Sequence, residues 1–184
     1  MAVITAPKIT VKEFFEMDLE EGYYYELING IIVKKQAPKP IHQIASGEIY
    51  GELRNFVKEK QLGRVLASPI DVFFDDYNNT QPDILFIKKD RLFIITDHGI
   101  EGTPDLIVEI LSPSSFKRDK KEKFDLYMRF GVQEYWIVDP YYKSIEVFVL
   151  ENNKYVLASE ASEAGIIQSK VLEGLSLEIS TVFE

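Results

Sequence analysis

Two short apolar runs each carry a carboxylate that a buried strand does not ordinarily hold. Asp105-Leu-Ile-Val-Glu109-Ile-Leu111 is apolar at every position between and after its two acids, as a strand covered on both faces would be. Glu109 stands near its C-terminal end, where an ionised carboxylate costs several kcal/mol unless it is paired or binds a metal. Asp83 opens a second such run, Asp83-Ile-Leu-Phe-Ile87, directly after Pro82. Two carboxylates on neighbouring buried strands make a hard, oxygen-rich site of the kind Mg²⁺ takes. Each also has a plainer use. Glu109 could be a strand-end residue reaching solvent or one half of a buried ion pair, and Asp83 a turn residue after proline.

The segment after Glu109 adds a cation. With Phe116 at zero and about 100° per residue, Phe116, Tyr127 and Phe130 centre one helical stripe, with Phe124 and Leu126 at its edges. Arg118, Glu122, Asp125 and Arg129 fall opposite, as a solvated face should. Lys120 and Lys123 project along the apolar stripe, and Lys123 lies between Phe116 and Phe130. Inward lysines usually snorkel, but this helix begins so soon after Glu109 that one could reach its carboxylate. Asp119, one turn before Lys123, could pair with it on the surface.

Other chemistries are excluded by count. Without cysteine there is no disulfide, thiolate zinc site or cysteine nucleophile. The two histidines, His42 and His98, cannot build a three-histidine zinc site, and no H-E-x-x-H, G-x-S-x-G, Walker-type loop or dinucleotide fingerprint occurs. No run approaches the roughly 18 consecutive apolar residues of a spanning helix, and the N-terminus lacks a signal-peptide pattern; a cytoplasmic protein is expected. The formal charge of −9 argues against a general nucleic-acid coat. It is uneven, however. Residues 117–123 carry five positive and two negative side chains, so that segment is +3 and the rest −12.

The elements that must position these groups are readable. A length of 184 residues is about one domain, expected over 1–184 with a core at about 23–160. Thr10 and Glu13 form a capping box for a helix over 11–17. The stretch 23–35 alternates around Asn29-Gly30, a strong hairpin signal. Ile41, Ala45, Ile49, Leu53, Phe56 and Val57 fall at helical spacing, with Gly63 as the stop. Strand-like runs follow at 64–67, 70–74, 83–87 and 106–111, with 88–104 read as irregular. Ser112-Pro113-Ser114-Ser115 is a turn and N-cap for a helix to about Phe130, stopped by Gly131. A strand at 135–138, a hairpin at 145–158 over Glu151-Asn152-Asn153 and a weakly strand-like tail complete the chain. Strands before and after helices imply one mixed sheet with helices packed on it.

Several local motifs carry a resemblance. Glu26-Leu-Ile-Asn-Gly30, His42-Gln43, Pro82-Asp83, Pro104-Asp-Leu-Ile-Val-Glu109-Ile-Leu-Ser-Pro-Ser114, Lys123 and Gly131-Val-Gln-Glu-Tyr-Trp-Ile-Val-Asp-Pro140 span most of the chain. Together they resemble a large bacterial family of uncharacterised proteins named as putative restriction endonucleases, within the PD-(D/E)XK nuclease superfamily. The resemblance implies an α/β, restriction-endonuclease-like fold: a mixed central β-sheet flanked by helices, with an N-terminal helix and β-hairpin extension. It assigns Asp83 to the metal-binding aspartate and Glu109 to the acid of the second motif, with the backbone carbonyl of Ile110 as a further metal ligand. The usual lysine stands two residues after that acid, where this chain has Leu111. In related proteins it has migrated to the following helix, a place Lys123 would fill, with Lys120 the lesser substitute. His42 falls on the apolar side of its helix and either lines the site or serves the core. Glu26 either supplies a third carboxylate or, the favoured expectation, holds the hairpin.

The expected activity is Mg²⁺- or Mn²⁺-dependent hydrolysis of DNA phosphodiesters, with Asp83 and Glu109 holding the metal and Lys123 orienting the attacking water or stabilising the phosphate's charge. DNA is the expected partner, bound weakly and only near the basic segment, and a homodimer is expected on family grounds. The rival is an inactive relative that binds DNA or a protein through the same cleft, for which Leu111 speaks. A purely structural set of ion-paired carboxylates is the third reading; Asp83 and Glu109 on different faces would favour it.

Overall fold

A computed structural model describes residues 7–112 and 118–184. The turn and N-cap at 113–115, Phe116 and Lys117 lie outside the described residues. No helix among the described residues is long and apolar enough to cross a membrane.

Local rules account for most elements. Helix α1 (Val11–Glu16) opens on the Thr10–Glu13 capping box. Strands β1 (Tyr24–Ile28) and β2 (Ile31–Lys35) turn at Asn29 and Gly30, whose φ values of 54° and 77° suit a two-residue hairpin. Helix α2 (Pro40–Glu59) buries Ala45, Ile49, Leu53 and Val57 along the expected stripe, while Ile41 at its first turn is exposed.

The expected mixed sheet is present, and beside it stand a second six-stranded sheet and a small two-stranded pair. Strands β3 (Gly63–Ala67), β6 (Ile84–Lys88), β9 (Leu106–Ile110), β10 (Glu134–Asp139), β11 (Ser144–Glu151) and β12 (Lys154–Ser162) form the main sheet, in the order β12-β11-β10-β9-β6-β3. Only β9 and β10 in it are parallel, joined through the helical segment that follows β9. The second sheet runs β2-β1-β5-β4-β8-β7 and takes in β4 (Val72–Asp75), β5 (Asn78–Thr80), β7 (Ile95–Thr96) and β8 (Gly99–Glu101). The N-terminal hairpin is therefore part of a sheet and not an appendage. The stretch read as irregular holds a 3₁₀ turn (Lys89–Ile94) and the β7–β8 hairpin. Its strands are too short for alternation to show, and β5 is buried yet entirely polar, so it carries no apolar signal. The tail forms β13 (Ile166–Gln168) and β14 (Ser176–Glu178).

Strand β9 is buried at every position. One face of the main sheet packs Phe86, Val108, Ile110 and Trp136 against α2 and the C-terminal segment. The other packs Leu85, Ile87, Ile107 and Tyr135 against Val72 of the second sheet and Leu126 and Tyr127 of the helix after β9. That helix is not uniform: Arg118–Lys123 is wound as a π-helix and runs into α3 (Phe124–Arg129), ended by Gly131 at φ 78°.

Glu134 has a use the sequence did not disclose. Its buried carboxylate accepts from Trp136 Nε1 (2.7 Å), Ser169 Oγ (2.6 Å) and the backbone N–H groups of Lys170 (2.6 Å) and Val171 (2.9 Å). It ties the C-terminal segment to the main sheet. Truncation leaves several buried donors unmet at about 1–3 kcal/mol each. Glu134→Ala is expected to lose about 3–5 kcal/mol in urea unfolding; a loss under about 1 kcal/mol would contradict this anchoring role.

Candidate active site

Asp83 and Glu109 belong to adjacent antiparallel strands. The ladder pairs Ile84 with Val108, so one step further Asp83 opposes Glu109. Directly opposed residues share a face and lie about 4.5–5.5 Å apart at Cα. Here it is the face of Leu85, Ile87 and Ile107. The two carboxylates therefore share a face, not the different faces that would have favoured the purely structural reading. Asp83 Oδ2 also accepts from the backbone N–H of Ile110 (2.7 Å), which joins the two strand ends.

The three remaining elements bring charge to this pair. From α2, His42 Nε2 lies 3.2 Å from Asp83 Oδ2. From the π-wound turn, Lys123 Nζ donates to Glu109 Oε1 (2.7 Å) and to Glu26 Oε1 (2.8 Å). From β1, Glu26 also accepts from Gln81 N (2.8 Å) and Lys35 Nζ (3.2 Å). The expectation that Glu26 serves mainly the hairpin is corrected: its carboxylate is fully buried and shares Lys123 with Glu109. Tyr127 donates its hydroxyl to Glu109 Oε1 (2.6 Å), and Asp119 Oδ1 lies 4.0 Å from Lys123 Nζ with both groups buried rather than on the surface.

Lys120 does not join them. It is exposed and donates to Glu146 Oε2 at 2.5 Å. The rotation that put it inward assumed an α-helix. The i→i+5 winding of Arg118–Lys123 turns less per residue, which carries Lys120 off the face of Lys123 and leaves Asp119 on it.

The electrostatics follow from one buried ammonium serving two carboxylates. Burial alone would raise Glu26, but Lys123 and Lys35 outweigh it and hold its pKa at about 2. Glu109 goes the other way. Burial, opposed by Lys123 and reinforced by Asp119 and Asp83, lifts it to about 8. Burial would also raise Asp83, but its hydrogen bond and charge contact with His42 bring it below the ordinary range. Burial would lower His42, and the same contact with Asp83 raises it. Burial would lower Lys123, but Glu109 and Glu26 keep it charged. At neutral pH, Glu26 and Asp83 are ionised and Glu109 carries a proton. Within this cluster, buried Glu26 Oε2 and His42 Nδ1 have no hydrogen-bond partner among the described residues.

A cleft of about 590 Å³ opens onto this cluster, with Asp83 and Glu109 in its lining. Lys123 stands behind the carboxylates, with no exposed surface. The lysines that line the cleft are Lys34, Lys35 and Lys39, from β2 and the connection to α2. Lys120 is turned to Glu146 and Lys123 is buried, so the positive wall of the cleft differs from the segment expected from the charge run. Among the described residues no three or more His, Asp or Glu side chains are arranged to hold a metal. Two facing carboxylates and a neighbouring carbonyl, with water completing the shell, still fit Mg²⁺, which commonly keeps several waters. Sequence reasoning missed Lys35, Gln81 and Tyr127. Tyr127 alone left a signal: it sat in the apolar stripe, where a hydroxyl needs a buried partner.

Residues 11–180 match the family Uma2, described as a putative restriction endonuclease. The chain is 22% identical over 162 residues to an uncharacterized protein of Synechocystis sp., covering 87% of this chain and 91% of that one. A crystal structure of a putative nuclease belonging to DUF820 from Anabaena variabilis superposes with a TM-score of 0.77 at 22% identity, covering 95% and 97% of the two chains. That similarity establishes the restriction-endonuclease-like fold.

Proposed function

As the chain belongs to the Uma2 family of putative restriction endonucleases, we propose that it is a metal-dependent endonuclease hydrolysing phosphodiester bonds in DNA at the cleft floor. The observation that carries this is the opposed pair Asp83 and Glu109, on one face of two adjacent strands and in the lining of one cleft. Both carboxylates, with the carbonyl of Ile110, would hold Mg²⁺ or Mn²⁺. When bound, such an ion activates water at neutral pH and offsets charge on the scissile phosphate.

The chain's own groups divide the remaining work. His42 fixes the orientation of Asp83 by bonding its Oδ2. Lys123 acts through Glu109: it fixes Oε1, and Tyr127 bonds the same oxygen. Lys35, partly exposed, is the lysine placed to meet a phosphate oxygen. A homodimer in the cytoplasm is the assembly we propose, with exposed Tyr141 and Tyr142 as candidate contacts; light scattering tests it, and a monomer at micromolar concentration would reject it.

Plasmid and oligonucleotide DNA incubated with the protein in Mg²⁺ or Mn²⁺ should be cut, and Asp83→Ala or Glu109→Ala should abolish cutting. No cleavage, or cleavage indifferent to both substitutions, would sink the proposal. Binding without cleavage would favour the inactive relative.

Metal binding should also be coupled to protons. Glu109 holds its proton below about pH 8, and a metal takes only the carboxylate. Binding at pH 7 should therefore release a proton, and affinity should rise with pH up to about 8 and then level. Calorimetry in two buffers of different ionisation enthalpy reads the proton count. A count of zero at pH 7 contradicts the assignment.

A further inference from the structure

The floor of the cleft is recessed. Glu109 is 2% exposed and the side chain of Asp83 13%, so a phosphodiester must descend past the rim to reach them. On one side the rim combines two residue types. Tyr23, just before β1, and Tyr24, its first residue, are 38% and 44% exposed and line the cleft. Lys34, Lys35 and Lys39 line it beside them. Lys34 Nζ lies 3.4 Å from the centroid of the Tyr23 ring and pairs with Glu20, so Lys34 covers one face of Tyr23. Lys39 is exposed and has no acidic partner among the described residues.

We propose that this rim of tyrosines and lysines makes the cleft a site for single-stranded DNA, with a base stacked on Tyr24, the backbone along Lys35 and Lys39, and the phosphate lowered to Asp83 and Glu109. This rests on the nuclease reading for the identity of the floor, and names the form of DNA that reading left open. A duplex carries its phosphates on the outside of a stiff rod, with a persistence length of about 50 nm, and lowering one of them into a recess adds a deformation cost that a single strand does not meet. A single strand has free torsions, and its unpaired bases offer ring faces to aromatic side chains beside a basic track. The acidic body fits the same picture, since attraction to the backbone is confined to one rim of an otherwise repelling surface.

The test is an anisotropy titration of a labelled oligonucleotide, single-stranded and as the same sequence in duplex, with Ca²⁺ as the divalent ion. The single strand should bind at least roughly tenfold tighter. Tyr24→Ala should weaken single-strand binding roughly tenfold and leave duplex binding unchanged. Lys39→Ala should reduce the slope of log K against log salt on single strands by about 0.7. Equal or tighter duplex binding, or a Tyr24→Ala protein that binds single strands like the parent, overturns the proposal. Far-ultraviolet circular dichroism of each variant excludes misfolding as the cause of a loss. Cleavage of the two substrates in Mn²⁺ is read separately. Its absence, with the single-strand preference intact, counts against the nuclease reading and not against this one.

Discussion

Glu109→Gln should fold as well as the parent and lose metal-dependent cleavage by at least about a thousandfold. Both halves follow from the Glu109 environment. With burial lifting it to about 8, Glu109 is a neutral carboxylic acid at pH 7 before metal arrives. Glutamine reproduces that state: its carbonyl oxygen can still accept from Lys123 Nζ and Tyr127 hydroxyl, as Oε1 does now. Stability should therefore change by less than about 1 kcal/mol. Glutamine cannot become an anion, so the carboxylate half of the proposed metal pair is gone. Several kcal/mol of transition-state stabilisation by a metal, at about 1.4 kcal/mol per factor of ten, sets the expected loss. Calorimetry with Mn²⁺ and a gel assay on the same preparation measure both halves. Full cleavage by a stably folded Glu109→Gln protein would remove Glu109 from the chemistry.

Lys123→Met should be the most destabilising single change at the site, at about 3–5 kcal/mol, lowering Tm by roughly 10 °C. The ammonium lies between Glu26 and Glu109, and all three side chains are buried. Removing it leaves Glu26 ionised with only Lys35, 3.2 Å away, as a cationic partner, while Glu109 keeps its proton. The penalty belongs to the orphaned carboxylate, so Glu26→Gln in the same chain should restore a large part of the loss. A double-mutant cycle by thermal unfolding reads this coupling directly. Additive effects of the two substitutions would mean that Lys123 is not held by Glu26, and the account of the charge cluster would fall with it.

How much was visible beforehand depended on the range of the forces involved. Thr10 with Glu13, Asn29-Gly30 and the turn at Asn152 and Asn153 act on their own backbone, and all appear where expected. The stripe of α2 appears as well, because burial of one helix face needs only its own periodicity. The β7–β8 hairpin and β5 were not legible. Two- and three-residue strands are made by their neighbours, and Asn78 and Asn79 have no apolar pattern. The inward Lys120 was a failure of local geometry: an α-helical angle applied to a π-wound turn.

By itself, the sequence determined the chemistry available: carboxylates, lysines and one histidine of use, no thiols, and two acids set in apolar strands. It also determined the local elements that carry them. Tertiary structure alone decided which charges meet. Lys123 is 97 residues from Glu26, and only the docking of the second sheet against the main one closes that distance to 2.8 Å. Buried charges are governed by desolvation and separation in space, and neither is encoded by spacing along a chain. For this reason Glu26 and Glu109, alike in sequence, end with pKa values of about 2 and about 8 on the same lysine.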